Sequence, residues 1–214
     1  LRLLEPVGIT TDNTKKNLAF SLETLVQVKK ILKENGVGAN ERLVGILPGV
    51  GGDQVKVWAP EKFAGVADYI SQKYNVRPII LGSGKDAGAV TKTVSYLSPQ
   101  NKAVNLLNKL SIDELKALIS TLALFISADT GPIYIAEALN IPTIDIIGPV
   151  KEFVQPPRGT IHRVVFAQRE KGMLGVLDNI APDIKEARRQ SEAITVEMVT
   201  KVIDELITNP KDRP

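Results

Sequence analysis

Residues 123–149 read ALFISADTGPIYIAEALNIPTIDIIGP. An apolar run over 123–127 stops at Asp129-Thr130-Gly131-Pro132, an apolar helical stretch over 133–139 is closed by Asn140 and Pro142, and a second strand over 143–147 stops at Gly148-Pro149. Strand, loop, helix and strand in that order predict parallel pairing, with the helix lying on one face of the sheet. Pro132 suits the first turn of the helix, where its missing N–H is not needed. The other N–H groups of that turn, together with the positive end of the helix dipole, point toward the strand ends, where an anion is stabilised. An ordinary Asp cap with a proline start is the alternative reading of the same residues.

The same alternation continues outward. Upstream, Leu43–Leu47 is a short buried strand, followed by a glycine loop and a helix from Pro60 to about residue 73 with Phe63, Val66, Ala67 and Ile70 on one face. A strand over 76–81 turns at Gly82-Ser83-Gly84 into a weaker helix over 86–97, and a short strand follows at 104–106. Ser111 with Glu114 forms a capping box ahead of the stripe Leu115, Leu118, Ile119 and Leu122. A leading helix is expected over about 14–35, capped by Asp12, Asn13 or Thr14, with Leu18, Leu22, Leu25, Val28 and Ile31 or Leu32 on one face and Gly36 and Gly38 at its end. Downstream come a strand at 163–166, a polar stretch over 168–193 without a motif, and a last helix over 195–207. The fold class is therefore α/β: a Rossmann-like parallel sheet with helices on both faces, one domain over 1–214 with its core at about 43–208. Ligands bind such sheets at the carboxyl ends of the strands, which directs attention to the loops after Leu47, Leu81, Leu106, Ser127 and Ile147.

Composition narrows the chemistry. Of 214 residues, 43% are hydrophobic and 24% charged, enough for a packed core. Lys and Arg number 27 against 24 Asp and Glu, a formal charge of +3 that is spread along the chain and does not argue for nucleic acid. The absence of cysteine excludes disulfides, thiolate metal sites and cysteine nucleophiles, and the single His162 cannot anchor a histidine cluster; it reads as structural. No apolar run approaches the roughly 20 residues of a bilayer span. The chain opens on Leu1 instead of Met, so it is expected to be cut from a longer one. Walker A, dinucleotide-fingerprint, nucleophile-elbow and Asp-x-Asp patterns are all missing, so no divalent metal is expected.

Three loops carry candidate residues. In Pro48-Gly49-Val50-Gly51-Gly52-Asp53, the glycines let backbone N–H groups approach a diphosphate, and Lys56 adds a positive charge; a plain glycine turn with a solvated lysine is the rival reading. Trp58 reads as a core anchor. Asp86 is either an acceptor for ribose hydroxyls or a helix cap. Asp129, Thr130 and Gly131 form the anion-binding helix entrance described above.

Ile46-Leu47-Pro48-Gly49, Lys56-Val57-Trp58 with Phe63, and Leu81-Gly82-Ser83-Gly84-Lys85-Asp86 together resemble the carboxyl-terminal half of glycosyltransferase family nine, the lipopolysaccharide heptosyltransferases. Leu110-Ser111-Ile112-Asp113-Glu114-Leu115, Ser127-Ala128-Asp129-Thr130-Gly131-Pro132-Ile133-Tyr134-Ile135-Ala136, Ile141-Pro142-Thr143, Ile147-Gly148-Pro149 and Ile194-Thr195-Val196-Glu197 follow in the family's order. The resemblance spans 43–207. It implies one half of a GT-B architecture, the donor-binding domain of a metal-independent, inverting enzyme that moves a sugar such as heptose from an ADP-sugar to a glycolipid acceptor in lipopolysaccharide core synthesis. The nucleotide-sugar is then a substrate, and no cofactor is implied. The resemblance puts the donor diphosphate near Lys56 and the Thr130 and Gly131 amides, with Gly49, Gly51 and Gly52 nearby, the ribose near Asp86, and the adenine beside the backbone of Leu110 and Ser111. Lys56 stabilises the leaving group. The catalytic base and the acceptor site are assigned to an amino-terminal domain absent from this chain, so the fragment alone is expected to be inactive. It also implies a cytoplasmic enzyme, peripheral at the inner membrane when intact. Tyr134 departs from the family, standing where many members have a histidine. A non-catalytic nucleotide-binding module, a ligand-free interaction domain, and half of a nucleotide-sugar epimerase of similar two-domain form are the alternatives.

Overall fold

The computed structural model describes residues 2–10, 16–51, 54–153, 156–170, 172–174 and 183–208. Six strands, β1 (Leu43–Leu47), β2 (Arg77–Ile80), β3 (Val104–Asn105), β4 (Leu124–Ala128), β5 (Thr143–Ile146) and β6 (His162–Val165), form one sheet in the order β3-β2-β1-β4-β5-β6. Every pairing is parallel. The helices are α1 (Leu22–Glu34), α2 (Pro60–Tyr74), α3 (Ala87–Tyr96), α4 (Ile112–Ile119), α5 (Gly131–Ala138), α6 (Ile184–Glu192) and α7 (Val196–Thr208). Short 3-10 segments occupy Arg2–Val7, Gln54–Lys56 and Gly84–Asp86.

All residues of β1 and β4 are buried, because helices cover both sides of the sheet. Alternate strand residues feed two cores. Val44, Ile46, Ile126, Ile144 and Ile146 pack against Phe63, Val66 and Ile70 of α2, Val90 of α3, and Val199 and Ile203 of α7. Leu43, Leu47, Ile79 and Phe125 pack on the other side against Val28 and Leu32 of α1, Leu118 and Ile119 of α4, and Ile133 and Ala136 of α5. Trp58 anchors the first core as expected: its ring meets Phe63 edge to face at 4.8 Å, and its indole N–H donates to the Ile194 carbonyl at 3.0 Å.

Two elements depart from the expected pattern. The leading helix starts at Leu22, not near residue 14, because Ser21 Oγ accepts the Thr24 N–H at 3.0 Å and ends the extended lead-in there. The expected caps Asp12, Asn13 and Thr14 lie outside the described residues. Leu22 is 82% exposed and Leu18 is also exposed, so only the second half of the stripe, Val28 and Leu32, is buried. The polar stretch before the last helix contains α6, capped by Asp183, whose side chain accepts the N–H groups of Lys185 and Glu186. The Ser111–Glu114 capping box of α4 is present as read, and α5 begins at Gly131, two residues before the expected 133.

Candidate functional site

Between β1 and β4 the strand order reverses. The chain leaves β1 toward α2 on one face and leaves β4 toward α5 on the other, so the two loops part and a crevice opens at the strand ends. Lys56 and Asp129 join its walls: Lys56 Nζ lies 2.8 Å from Asp129 Oδ2. Asp129 is nearly buried, and its Oδ1 accepts the Tyr134 hydroxyl at 3.2 Å. Burial, followed by the nearby Asp129 carboxylate, pushes the Tyr134 phenol well above its usual range, so Tyr134 acts as a hydrogen-bond donor throughout the neutral range.

Because the Asp129 carboxylate is turned toward Lys56 and Tyr134, it does not cap α5. Thr130 is the N-cap in extended conformation, and its side chain makes no capping hydrogen bond. Gly131 is exposed, and a side chain there would enter open space. The ordinary Asp-cap reading of this loop therefore fails, and the entrance of α5 is open to a ligand.

Beside that entrance lies a cavity of about 430 Å³ whose lining includes Gly51, Asp86, Leu110, Ser111 and Thr130, five of the residues singled out from sequence. Leu81, Leu106, Ile112 and Leu115 supply apolar wall. Asp86 is buried and ties two loops together. Its Oδ1 accepts the Gly51 N–H at 3.0 Å, and its Oδ2 accepts the Ser83 N–H at 2.9 Å and the Ser83 hydroxyl at 2.7 Å. Gly49 backs directly onto this carboxylate, which fills the space a β-carbon would need. Gly51 has φ of +64° and open space beside it and lines the cavity, the cavity-facing glycine among the described residues of the loop. Gly52 lies outside the described residues. The N–H and the hydroxyl of Ser111 serve the helix cap, the N–H donating to Glu114 Oε2 at 2.7 Å and the hydroxyl accepting the Glu114 N–H at 3.3 Å.

His162 sits at the opposite end of the sheet, its Nδ1 2.8 Å from Thr143 Oγ1, and burial lowers its basicity; it takes no part in the crevice. Among the described residues, no three His, Asp or Glu side chains come together as metal ligands, and no helix is long and apolar enough to cross a membrane.

Two residues near the crevice were not singled out from sequence. Asp145, in the middle of β5, is fully buried, and burial followed by the Asp129 charge raises its carboxyl well above the usual range, with Lys56 opposing. An acid inside Thr-Ile-Asp-Ile-Ile is a visible flag, since charged residues seldom occupy core positions. Arg169 reaches back to the loop after β5, donating to the carbonyls of Gly148 and Val150 and pairing with Glu152 at 2.7 Å. No local pattern marks it.

The model of glycosyltransferase family 9 (heptosyltransferase) matches residues 3–174. A lipooligosaccharide heptosyltransferase 2 of Campylobacter jejuni is 34% identical over 138 residues, 64% of this chain and 42% of that protein. The solved structure of a family 9 glycosyl transferase from Veillonella parvula has the same fold, with a TM-score of 0.78 at 22% identity over 96% of this chain and 58% of that one. An Escherichia coli heptosyltransferase solved with ADP-2-deoxy-2-fluoro heptose gives 0.61 at 16% identity over 94% and 52%. The chain thus spans about half the length of these relatives.

Proposed function

The chain belongs to glycosyltransferase family 9, the heptosyltransferase family, and from that premise we propose that it is the donor-binding half of an inverting, metal-independent glycosyltransferase of GT-B form. The observation that carries this reading is the open entrance of α5 beside the Lys56–Asp129 pair, at the reversal of strand order and next to a cavity with an apolar wall. The donor is an ADP-sugar, heptose-like in its sugar. Support for the nucleotide comes from the Escherichia coli neighbour, which was solved with an ADP-sugar analogue.

In this reading the base lies in the cavity against Leu110, Ile112 and Leu115, with backbone polar groups near Leu110 and Ser111 selecting it. Glu114 already takes the Ser111 N–H and the Leu115 N–H donates to the Ser111 carbonyl, so the backbone of Leu110 is the recognising segment. The ribose meets Asp86. A carboxylate has about four acceptor positions, and the three hydrogen bonds from Gly51 and Ser83 leave one of them, on Oδ1, for a ribose hydroxyl. The diphosphate lies across the α5 entrance near Thr130 and Gly131, where it draws on the helix dipole and on Lys56, while Gly49 and Gly51 approach from the other wall.

When the bond to the sugar breaks, negative charge grows on the departing diphosphate. Lys56 and the helix entrance are fixed where that charge appears, so they stabilise it without first reorganising. The nucleophilic acceptor, a glycolipid of the lipopolysaccharide core, and the base that takes its proton belong to an amino-terminal domain across the cleft. This chain alone binds donor but does not transfer it, and the intact enzyme works in the cytoplasm, peripheral to the inner membrane.

Calorimetric titration of the chain with ADP, UDP and GDP tests the reading. Saturable binding of ADP, tighter than that of the other two and weakened at least tenfold by Lys56→Met, is expected. Absence of nucleotide binding at millimolar concentrations would overturn it.

A further inference from the structure

α6 reads IKEARRQSE, with no apolar stripe, yet it buries Ala187, Gln190 and Ser191. A helix so composed is kept for close approach more than for apolar burial. It packs on the Gln54–Lys56 turn, and the Ser191 hydroxyl donates to the Val55 carbonyl in a long bond of 3.4 Å. Ser191 also presses on the loop after β5. A β-carbon on Gly148 would lie 1.9 Å from Ser191 Oγ and 3.1 Å from Ser191 Cα, so the two backbones approach as only glycine allows. Arg169 keeps that loop from drawing away: its buried guanidinium donates to the Gly148 carbonyl and, at 2.6 Å, to the Val150 carbonyl. Ser191 is thus wedged between the loop after β5 and the segment that carries Lys56.

The atom it holds matters. The Val55 carbonyl belongs to the rigid peptide plane that ends at the Lys56 α-carbon, so restraining one restrains the other. We propose that Ser191 is a positioning residue for Lys56: seated against Gly148, it fixes the peptide from which the Lys56 side chain starts, and through it the place of the ammonium beside Asp129 at the α5 entrance. The inference rests on the proposed diphosphate site. It concerns where the side chain begins, whatever partners the ammonium meets besides Asp129.

A lysine stem has many rotamers, and a wandering α-carbon multiplies the positions its ammonium can take. With the start held, fewer of them have to be frozen out when a diphosphate arrives. The same restraint keeps the charge where the leaving group needs it during transfer.

The test combines calorimetric ADP affinity with the Cε resonance of Lys56, assigned by its loss in Lys56→Met, for the wild-type chain, Ser191→Ala, Gly148→Ala and Val28→Ala. Ser191→Ala removes the hydroxyl with little change in volume, and Gly148→Ala pushes α6 from the opposite side. Val28→Ala opens a gap in the other core, so it weakens the fold at a distance from α6. Measured well below each melting temperature, Ser191→Ala and Gly148→Ala should each weaken ADP binding by about threefold or more and shift the Lys56 resonance, whereas Val28→Ala should do neither. Ser191→Ala alone decides if Gly148→Ala does not fold. If Ser191→Ala binds ADP as wild type does, if it weakens binding with the Lys56 resonance unmoved, or if Val28→Ala weakens binding equally, Ser191 merely supports the fold and the inference fails while the nucleotide site stands. If wild type itself binds no ADP, the proposed function fails and takes this inference with it.

Discussion

Gly49 and Asp86 occupy adjoining space: the loop after β1 runs so close to the buried carboxylate that a β-carbon on Gly49 would collide with it. The same carboxylate holds the Gly51 N–H, so one residue on the β2 side shapes the loop on the β1 side. Gly49→Ala is therefore expected to destabilise by about 1–3 kcal/mol, as overpacking in a tight interior does. Gly131→Ala meets open space and should leave the melting temperature nearly unchanged while weakening ADP binding. Thermal unfolding alongside calorimetry separates the two.

Removing Lys56 does more than withdraw a charge from a ligand. From sequence alone, Lys56→Ala is a binding defect with an intact fold; with Asp129 only 4% exposed in its side chain, the substitution also takes the cation away from a buried carboxylate that keeps the Tyr134 hydroxyl. A loss of about 3 kcal/mol is expected, the low end for a broken buried pair because Lys56 keeps some contact with water. Adding Asp129→Asn should restore much of that stability without restoring ADP affinity. Denaturant unfolding of the two single variants and the double variant checks this coupling.

Asp145 makes stability fall as pH rises. Its folded-state carboxyl titrates well above the unfolded value, so between the two the native state holds the extra proton. Stability from this group is greatest below about pH 4, the unfolded carboxylate range, and declines as pH climbs toward the folded value. Asp145→Asn should thus raise the melting temperature more at pH 7 than at pH 4. An equal gain at both would contradict a retained proton.

At the far side of the molecule, Asp204 on α7 accepts from Lys73 and from the hydroxyls of Tyr69 and Tyr74 on α2. Lys73, then Tyr74, holds its carboxyl down to about 2. This contribution is present above the unfolded value and is lost as pH falls from about 4 toward 2. Asp204→Asn should be less stable than wild type at pH 7 and converge on it at pH 2, as followed by far-ultraviolet circular dichroism.

Most of the sheet was legible because its signals are local. β1 and β4 are short, mainly apolar runs ended by Pro or by a polar-glycine turn, β5 is bracketed by Pro142 and Gly148-Pro149, and the Ser111–Glu114 box marks α4 within four residues. The start of α1 was not, since Asp12, Asn13 and Thr14 offer the same capping chemistry as Ser21, and only tertiary packing on Val28 and Leu32 decides between them. α6 escaped notice because it buries Ala187, Gln190 and Ser191 rather than an apolar stripe. In the crevice, Lys56, Asp86 and Asp129 could be named from loop position, whereas their mutual bonding depends on strand order. Asp145 needs that order too: it becomes a neighbour of Asp129 only when β5 lies beside β4.

The Trp58 indole and the Lys62 ammonium both end on the carbonyl of Ile194, 136 and 132 positions away. The tether lies two residues beyond Lys56, so the glycine loop is fastened to the segment that leads into the final helix. All six strands precede this fastening in the chain. A chain cut before Ile194 would keep every strand yet lose the bonds that fasten Trp58 and Lys62 to the approach of the final helix.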